Sequence, residues 1–276
     1  MNFILGSHGR LGQAIATNIC DPLVALDRDV YSNWWRQGSA DLVAQFFEKY
    51  SCDNGIVYIA TGIIDPKIPN VEHDKVNFLM AKHVIEGVSK LGFRVVTFGT
   101  IMEEIINPVS ANPYILSKIK LRDFVYEFTA KHSSISHLHI RIHTLYGGGI
   151  PDKFMFLGQL YNAITSKTPF YMTSGLQLRE YHHIDDEAKA ILAIAESNIN
   201  GVINLSHGKP VTLKELAEYV FKQFNCISYL KLGALTQPVE ENYGILFDPT
   251  PTLASISFRE TLPGVYNYLN TCIASI

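Results

Sequence analysis

Tyr114 and Lys118 form the residue pair in this chain whose types and spacing best suit acid–base chemistry. They stand four positions apart in the segment Asn-Pro-Tyr-Ile-Leu-Ser-Lys, which places both side chains on one face of a helix. A free tyrosine has a pKa of about 10 and exchanges its proton poorly at neutral pH. Because a nearby ammonium stabilises the phenolate, the spacing predicts a tyrosine whose pKa is lowered toward the working range.

The residues around this pair decide whether it is a catalytic pair or a chance match. The chain has 14 tyrosines, so roughly one Tyr-x-x-x-Lys is expected by chance. A catalytic tyrosine also needs a hydroxyl that holds the substrate oxygen. Thr100 lies just past a predicted strand, at the carboxyl end of a parallel sheet, where doubly wound folds bind ligands. We therefore predict Thr100 as the partner; a cap for the next segment is the alternative role, and Ser110 and Ser117 are weaker candidates.

A glycine loop follows the first predicted strand. Gly6, Gly9 and Gly12 have the spacing Gly-x-x-Gly-x-x-Gly and precede a helical pattern over residues 11–18. A tight turn needs a residue that tolerates positive φ, and a helix N-terminus offers free N–H groups to a phosphate. The pattern predicts a dinucleotide cradle, with a glycine-rich turn that binds no ligand as the alternative.

An acid downstream of the loop bears on the choice of cofactor. Asp27 ends the second predicted strand about twenty residues further on, where a carboxylate holds the adenosine ribose hydroxyls. This residue favours NAD(H). Arg10 and Arg28 are placed to meet a 2′-phosphate, so the sequence also allows NADP(H).

Short apolar runs alternate with longer helical patterns along the chain. The predicted strands cover residues 3–5, 23–26, 56–60, 94–98, 137–142 and 202–205. Helical periodicity lies between them, as in residues 76–89 and 115–130. This alternation predicts an α/β fold, a doubly wound parallel sheet of the Rossmann type, with a smaller C-terminal substrate lobe.

The predicted domain boundaries follow from breaks in this alternation. Residues 1–146 and 184–206 are expected to form the NAD(P)-binding domain, and residues 147–183 and 207–276 the substrate-binding lobe. Thr212 and Glu215 have the spacing of a capping box and predict that a helix begins there.

Composition narrows the class of protein. The 276 residues are 47% hydrophobic and 18% charged, which is typical of a globular protein. The net charge of -3 argues against nucleic acid or an anionic membrane as the main partner. The four cysteines include no Cys-x-x-Cys pair, and neither a signal peptide nor an apolar run of about 20 residues is evident. We expect a cytoplasmic location.

These residues resemble the extended short-chain dehydrogenase/reductases, in the NAD-dependent epimerase/dehydratase branch that acts on nucleotide sugars. The resemblance covers nearly the whole chain. It rests on Gly6, Gly9 and Gly12, Asp27, the segment Tyr58-Ile59-Ala60-Thr61-Gly62, Asn77, Thr100, Tyr114 and Lys118, Tyr146-Gly147, the segment Leu178-Arg179-Glu180-Tyr181, and Asn204-Leu205-Ser206.

The resemblance implies roles for individual residues. Thr100, Tyr114 and Lys118 would be catalytic, and Thr100 and Arg179 would bind substrate, the latter through its pyrophosphate. Asn77 would support the active-site helix, and a homodimer would form through the helices that carry Asn77 and Tyr114. The residues implied in cofactor binding are Gly6, His8, Gly9, Arg10, Leu11, Gly12, Asp27, Arg28, Ala60, Thr61, Gly62, Asn77, Tyr114 and Lys118.

Two departures from the family pattern narrow the reaction. Dehydratases of the family carry an Asp-Glu pair directly after the threonine, where this chain has Ile101 and Met102. Glu103 and Glu104 are displaced from those positions and are expected to be solvated, so dehydration is not expected. The stretch between Thr100 and the catalytic tyrosine also looks shorter than the family norm.

The compact region between Asp27 and Ile56 is similar to that of the dTDP-dehydrorhamnose-type 4-keto reductases. We therefore expect an NAD(P)-dependent oxidoreductase that reduces a 4-keto sugar of a nucleotide-diphosphate sugar. A nucleotide-sugar 4-epimerase is the alternative. A non-catalytic NAD(P)-sensing protein is less favoured, because it could dispense with Tyr114 and Lys118.

Several histidines are not assigned to this chemistry. His137, His139 and His143 alternate along one predicted strand, where imidazoles can bind metal. A polar strand face toward the second lobe is the preferred interpretation, and no metal site is predicted. His182 and His183 follow the predicted pyrophosphate ligand and either line the sugar site or pack in the core.

Overall fold

The structure is a computed structural model that describes residues 1–50, 55–132 and 137–275. The chain divides into two compact units. Unit 1 comprises Met1–Ile142 and Ala188–Leu205, and unit 2 comprises His143–Glu187 and Ser206–Ile276.

The strands of the described residues follow in chain order. They are β1 (Asn2–Leu5), β2 (Leu23–Leu26), β3 (Ile56–Ile59), β4 (Arg94–Thr100), β5 (Leu138–Ile142), β6 (Thr144–Tyr146), β7 (Phe170–Tyr171), β8 (Leu178–Arg179), β9 (Tyr181–His183), β10 (Gly201–Asn204), β11 (Val211–Thr212) and β12 (Leu230–Lys231).

The α-helices of the described residues also follow in chain order. They are α1 (Arg10–Asn18), α2 (Arg28–Tyr31), α3 (Ser39–Glu48), α4 (Asn70–His73), α5 (Met80–Ser89), α6 (Met102–Ile105), α7 (Pro113–Lys131), α8 (Phe156–Ser166), α9 (Ile184–Ala195), α10 (Leu213–Gln223) and α11 (Thr261–Ala274). A π-helical turn, Asp74–Leu79, joins α4 to α5, and 3-10 turns lie at Ile227–Tyr229 and Pro251–Leu253. Across the described ranges, a helix with the length and hydropathy of a membrane span is not found.

Unit 1 is built on a parallel sheet of six strands in the order β10-β5-β4-β3-β1-β2. Strand β1, which lies between β3 and β2, is apolar at every position after the first. Its residues Phe3, Ile4 and Leu5 are fully buried, as expected for a strand covered on both faces. The Phe3 ring meets Phe47 of α3 edge-on, with ring centroids 5.0 Å apart. The predicted α/β doubly wound sheet is confirmed.

Two element boundaries differ from the sequence prediction in ways that affect the site. Strand β4 continues to Thr100, because this residue pairs with Ile142 of β5; Thr100 is therefore the last residue of the strand. The helix predicted over residues 76–89 begins earlier, at Asn70, and contains the π-helical turn. Such turns widen a helix locally and often occur near functional sites.

Unit 2 contains short two-stranded pairings, β6 with β9, β7 with β12 and β8 with β11. Its core is apolar and includes the fully buried Leu160, Leu216, Phe221 and Leu269. Helix α10 begins with the predicted capping box, in which Thr212 and Glu215 bond each other's backbone N–H groups.

Candidate active site

Strands β1, β2 and β3 end side by side at the carboxyl end of the sheet. Leu5 of β1 is in register with Leu26 of β2 and Ile59 of β3. The glycine loop, the predicted ribose carboxylate and residues 60–62 each begin one position later, so all three leave the sheet at the same level. The strand order reverses between β1 and β3, and such a switch point is where open α/β sheets bind ligands.

Two glycines of the loop are required by the backbone itself. Gly6 has a φ of +86°, and a Cβ there would lie 2.6 Å from the backbone nitrogen of Thr61. A Cβ at Gly12 would lie 2.1 Å from the carbonyl oxygen of Gly6. At Gly9 the nearest atom would be 3.4 Å away, which is an ordinary contact. The loop therefore presses against the end of β3, and Gly9 is the member whose missing side chain the fold does not explain.

The N-terminus of α1 fits a pyrophosphate. Gly9 is the N-cap and offers no side chain to bond the first-turn N–H groups, so these groups suit an anion. Asp27 follows β2 and is exposed, its side chain does not cap α2, and Arg28 beside it is also exposed. The remaining predicted members of the loop are exposed or half-buried; they are His8, Arg10 and Leu11. These residues fit a dinucleotide.

Asn77 ties the segment after β3 to α7. Its Oδ1 accepts a hydrogen bond from Ile63 N–H at 2.8 Å, and its Nδ2 donates to the Ile63 carbonyl at 2.9 Å and to Ser117 Oγ at 3.0 Å. The buried amide is used within the protein, where it braces the helix that carries Tyr114. These bonds leave the side chain of Asn77 little capacity for the predicted cofactor contact. Ala60, Thr61 and Gly62 precede it in the loop after β3.

Helix α7 places Tyr114 in its first turn. Asn112 caps the helix through a hydrogen bond that its side chain accepts from Ile115 N–H at 3.0 Å, and Pro113 follows at the position where its missing N–H costs nothing. Lys118 lies one turn later and is buried, with Nζ donating to the Phe98 carbonyl at 2.7 Å. A Cβ on Gly62 would lie 3.8 Å from this Nζ, so Lys118 reaches the segment after β3.

Thr100 meets Tyr114 through a side-chain hydrogen bond. The short connection between the two residues therefore brings the predicted hydroxyl and phenol together. Thr100 Oγ1 also lies 3.4 Å from Met102 N–H at the start of α6, a long contact that resembles the alternative capping role. Ser117 Oγ is held by Asn77 and the Tyr114 carbonyl, and Ser110 is exposed.

Glu103 is buried, so the expectation that it is solvated is wrong. Helix α6 turns its carboxylate back onto the end of β4, where Oε1 accepts a hydrogen bond from Thr100 N–H at 2.7 Å and Oε2 lies 3.2 Å from His139 Nε2. Gly99 makes room, since a Cβ there would lie 2.2 Å from both groups. Glu104 is half-exposed and pairs with Arg141. Burial raises the pKa of Glu103, but the charge and hydrogen bond of His139 outweigh it and lower the pKa.

The pKa of Tyr114 is raised, contrary to the lowering predicted from its spacing to Lys118. Burial is the main cause and the Glu103 charge adds to it, while the hydrogen bond with Thr100 opposes both. Burial also lowers the pKa of Lys118 to about 8, against the opposing charge of Glu103. The phenol therefore holds its proton at neutral pH.

Arg179 is already paired within unit 2. Its guanidinium donates to the Leu178 carbonyl at 2.8 Å and to Glu241. To bind a pyrophosphate as the resemblance implies, this side chain would have to exchange one of these partners. Sequence spacing could not reveal the pairing, because Glu241 lies 62 residues further along the chain.

The alternating histidines contact different partners. His137 Nε2 lies 2.7 Å from Ser89 Oγ, and its Nδ1 accepts from Val95 N–H at 3.0 Å. His139 meets Glu103, and His143 belongs to unit 2. The β4–β5 register, in which His139 pairs with Thr97, places His139 near Glu103. This register is a property of the fold, so the sequence alone did not indicate the contact.

The six-stranded parallel sheet, its switch point and the glycine loop define unit 1 as a Rossmann-type dinucleotide domain. The chain belongs to the NAD dependent epimerase/dehydratase family, because the model of that family matches residues 3–206. The predicted identity as an NAD(P)-dependent enzyme of the short-chain dehydrogenase/reductase type is confirmed. No curated protein matches the sequence significantly.

Solved structures share the fold over almost the whole chain. UDP-glucose 4-epimerase from Thermotoga maritima, solved with UDP-glucose, has a TM-score of 0.78 at 14% identity and covers 100% of this chain and 99% of its own. RMD from Pseudomonas aeruginosa, complexed with NADPH, has a TM-score of 0.77 at 12% identity and covers 99% and 97%. UDP-N-acetylglucosamine 4-epimerase from Methanobrevibacter ruminantium M1, in complex with UDP-N-acetylmuramic acid, has a TM-score of 0.74 at 16% identity and covers 99% and 96%.

Proposed function

We propose that this enzyme reduces the 4-keto group of a nucleotide-diphosphate sugar with NADH or NADPH. The observation that carries the proposal is the hydrogen bond between Thr100 and Tyr114, one helical turn from the buried Lys118. All three residues lie at the carboxyl edge of the sheet in unit 1, beside the loop that follows β3.

The residues of the site suit proton donation to a forming alcohol. Reduced nicotinamide supplies a hydride to the carbonyl carbon when it is bound. Tyr114 holds its proton because its pKa is raised, and it transfers that proton to the carbonyl oxygen. Thr100 holds the same oxygen, and the Lys118 ammonium stabilises the negative charge that develops on it and then on the phenol. The carbonyl becomes an alcohol, and NAD(P)H becomes NAD(P)⁺.

The cofactor assignment rests on the loop geometry. Gly9 leaves space over the N-terminus of α1 for a pyrophosphate, and Asp27 stands at the end of β2 with an exposed carboxylate. This carboxylate favours the unphosphorylated ribose of NAD(H). Arg28 beside it allows NADP(H) as a second cofactor.

The substrate class is supported by unit 2. A cavity of about 600 Å³ in this unit is lined in part by Lys209, Phe258 and Arg259. Its volume lies within the range of roughly 300–1,000 Å³ typical of small-molecule sites. A lysine beside an aromatic ring suits a nucleoside diphosphate, whereas Arg259 is paired with Asp185 and Asp186 and would have to exchange a partner to join it. Proteins of similar fold were solved with UDP-glucose and UDP-N-acetylmuramic acid.

A 4-epimerase is the second candidate, because two of the solved structures described above are 4-epimerases. Epimerisation begins with oxidation, so Tyr114 would first have to accept a proton from the sugar hydroxyl. Because its pKa is raised, Tyr114 is protonated at neutral pH and would have to lose that proton before it could accept another, whereas reduction begins from the protonated phenol. A non-catalytic NAD(P) sensor would need no proton donor, so it would not account for the Thr100–Tyr114 pair and Lys118.

The test measures how much cofactor is oxidised for each sugar alcohol that is formed. Purified enzyme is mixed with NADH or NADPH and a UDP- or dTDP-4-keto-6-deoxy sugar, and with UDP-glucose in parallel. Reduction predicts one oxidised cofactor for each alcohol formed and no change in UDP-glucose. Isomerisation of UDP-glucose without net cofactor consumption would instead establish the epimerase, and the absence of turnover with a bound cofactor would favour the sensor. The homodimer, the cytoplasmic location and the absence of nucleic-acid or membrane partners stay predictions.

A further inference from the structure

A buried carboxylate in unit 2 is surrounded by groups that the proposed reaction does not use. Glu180 lies between β8 and β9 and is 2% exposed. Its Oε1 accepts a hydrogen bond from Ser206 Oγ at 2.7 Å, and its Oε2 accepts one from the His207 backbone N–H at 2.9 Å. His182 Nε2 lies 3.1 Å from the same Oε2. The carboxylate is thus fixed in orientation by donors on two segments.

His182 is held by a second carboxylate on its other ring nitrogen. Its Nδ1 lies 2.7 Å from Glu187 Oε2, and both side chains are fully buried. A histidine that ligates a metal typically donates its second N–H to a carboxylate, which fixes the ring and its tautomer. His182 has this arrangement, because Glu187 holds its Nδ1 and its Nε2 is left to face a metal ion beside Glu180.

Two further imidazoles carry buried nitrogens without a hydrogen-bond partner. The His207 ring lies beside His182 with centroids 4.5 Å apart, and its Nε2 is unpartnered. Its Nδ1 is 3.5 Å from Glu180 Oε2 and accepts a hydrogen bond from Lys209 N–H at 3.1 Å, which a metal bound at Nδ1 would displace. His143 Nε2 is also unpartnered and points to Glu180 Oε1 at 3.8 Å, with its side chain 4% exposed. A buried polar atom without a hydrogen-bond partner costs free energy of folding. The hydrogen bonds within the cluster therefore leave two of its nitrogens unsatisfied.

We propose that Glu180, His182 and His207 bind one divalent transition-metal ion, with Zn²⁺ the best match to the donor set. One ligand atom from each of the three lies within 4.8 Å of the others. Bonds of about 2.0–2.1 Å in tetrahedral geometry place ligand atoms roughly 3.3 Å apart, and the distances of 3.1 and 3.5 Å above bracket this value. Two imidazoles with one carboxylate suit zinc.

His143 stands next to the fourth position. Its ring lies 5.4 Å from that of His182, centroid to centroid. A site with four protein ligands is typical of structural zinc, and we assign the ion a stabilising role that is independent of the proposed reduction.

An ion can reach the cluster from the cavity of unit 2, because Ser206 and His207 belong to its lining. The alternative occupant is a proton on His182. Burial lowers the pKa of His182, but the charges and hydrogen bonds of Glu187 and Glu180 outweigh it and raise the pKa to about 9. The experiment must therefore distinguish a zinc site from a buried imidazolium.

The full-length protein is treated with a chelator, dialysed and titrated with Zn²⁺ alone. Bound metal is measured by elemental analysis, affinity by competition with a chromophoric chelator, and stability by thermal unfolding. We expect one tightly bound Zn²⁺ per chain and a rise in Tm on binding, since a ligand that binds only the folded state stabilises it. A chain that binds no Zn²⁺ tightly would overturn the proposal and leave the imidazolium.

Matched variants locate the ion. His207→Gln lies at the cavity edge, and Glu187→Gln changes only the group behind His182. Each should weaken Zn²⁺ binding by about 10–100-fold. His132→Gln, an exposed histidine of unit 1, should bind Zn²⁺ like the parent chain. Equal binding by His207→Gln and the parent, or a loss confined to His132→Gln, would show adventitious surface binding and refute the site.

Discussion

The side chains of Thr100 and Tyr114 are joined by a hydrogen bond at the carboxyl end of β4. The bond forms although only a short helix and a turn separate the two residues. Lys118, one turn along α7, is anchored on the Phe98 carbonyl of the same strand. In the proposed reaction, the proton donor, the oxygen partner and the cation would therefore be in position before substrate binds, which would lower the entropic part of the barrier.

The glycine loop offers a matched pair of substitutions. Gly12→Ala forces a Cβ to within 2.1 Å of the Gly6 carbonyl oxygen, and overpacking of this kind costs about 1–3 kcal/mol. We expect a Tm lower by about 2–4 °C for each kcal/mol. Gly9→Ala has room in the fold, so its Tm should stay close to that of the parent while NADH affinity falls. Equal losses of Tm in the two variants would refute this account of the loop.

Asp27 should set the preference between the two cofactors. Asp27→Ser removes the carboxylate that would repel a 2′-phosphate and hold the ribose, and Arg28 remains beside it. We expect the ratio of the Kd values for NADPH and NADH to shift toward NADPH by about tenfold or more, or about 1.4 kcal/mol. Asp29→Asn, an exposed acid in the first turn of α2, is the control and should leave the ratio unchanged. An unchanged ratio in Asp27→Ser would remove this residue from the cofactor site.

Lys118 should give the enzyme a basic limb in its pH profile. Its folded pKa is lowered to about 8, so the ammonium is present below that pH and is lost as pH rises through it. Because kcat/KM reports ionisations of the free enzyme, we expect kcat/KM to fall above about pH 8. Lys118→Arg keeps its charge and should lack this limb, whatever its absolute rate. A limb retained by the arginine variant would mean that another group titrates.

Glu103 should tune both members of the pair. Its charge raises the pKa of Tyr114 and also raises that of Lys118, so Glu103→Gln should lower both. The basic limb of kcat/KM would then move to lower pH, because Lys118 loses its proton more readily. Glu104→Gln, whose side chain is half-exposed and paired with Arg141, is the matched control. A limb that shifts equally in both variants would exclude a specific effect of Glu103.

The sequence predicted most of unit 1 because its signals are local. Apolar runs such as Phe3 to Leu5 mark buried strands, and Asn112 with Pro113 marks the start of a helix. The order of β1, β2 and β3 then follows from short connections and right-handed crossovers. Thr100 and Tyr114 were predicted together because each ends or begins such an element.

The remaining features depend on contacts that local pattern does not encode. The burial of Glu103 requires the β4–β5 register that brings His139 opposite Thr97. The pairing of Arg179 with Glu241 joins residues that are far apart in sequence. The raised pKa of Tyr114 is a consequence of burial, which spacing to a lysine cannot report.

The most direct test of the proposed chemistry is the turnover of Tyr114→Phe with its nucleotide-sugar substrate. General acid catalysis contributes about 10²–10⁴-fold, so kcat should fall by at least about 100-fold while the Kd for NADH stays at the parent value. Tyr126→Phe is the control, since Tyr126 lies on the same helix and is 68% exposed; it should retain full turnover. A Tyr114→Phe enzyme that keeps near-parental kcat would contradict the assignment of Tyr114 as the proton donor.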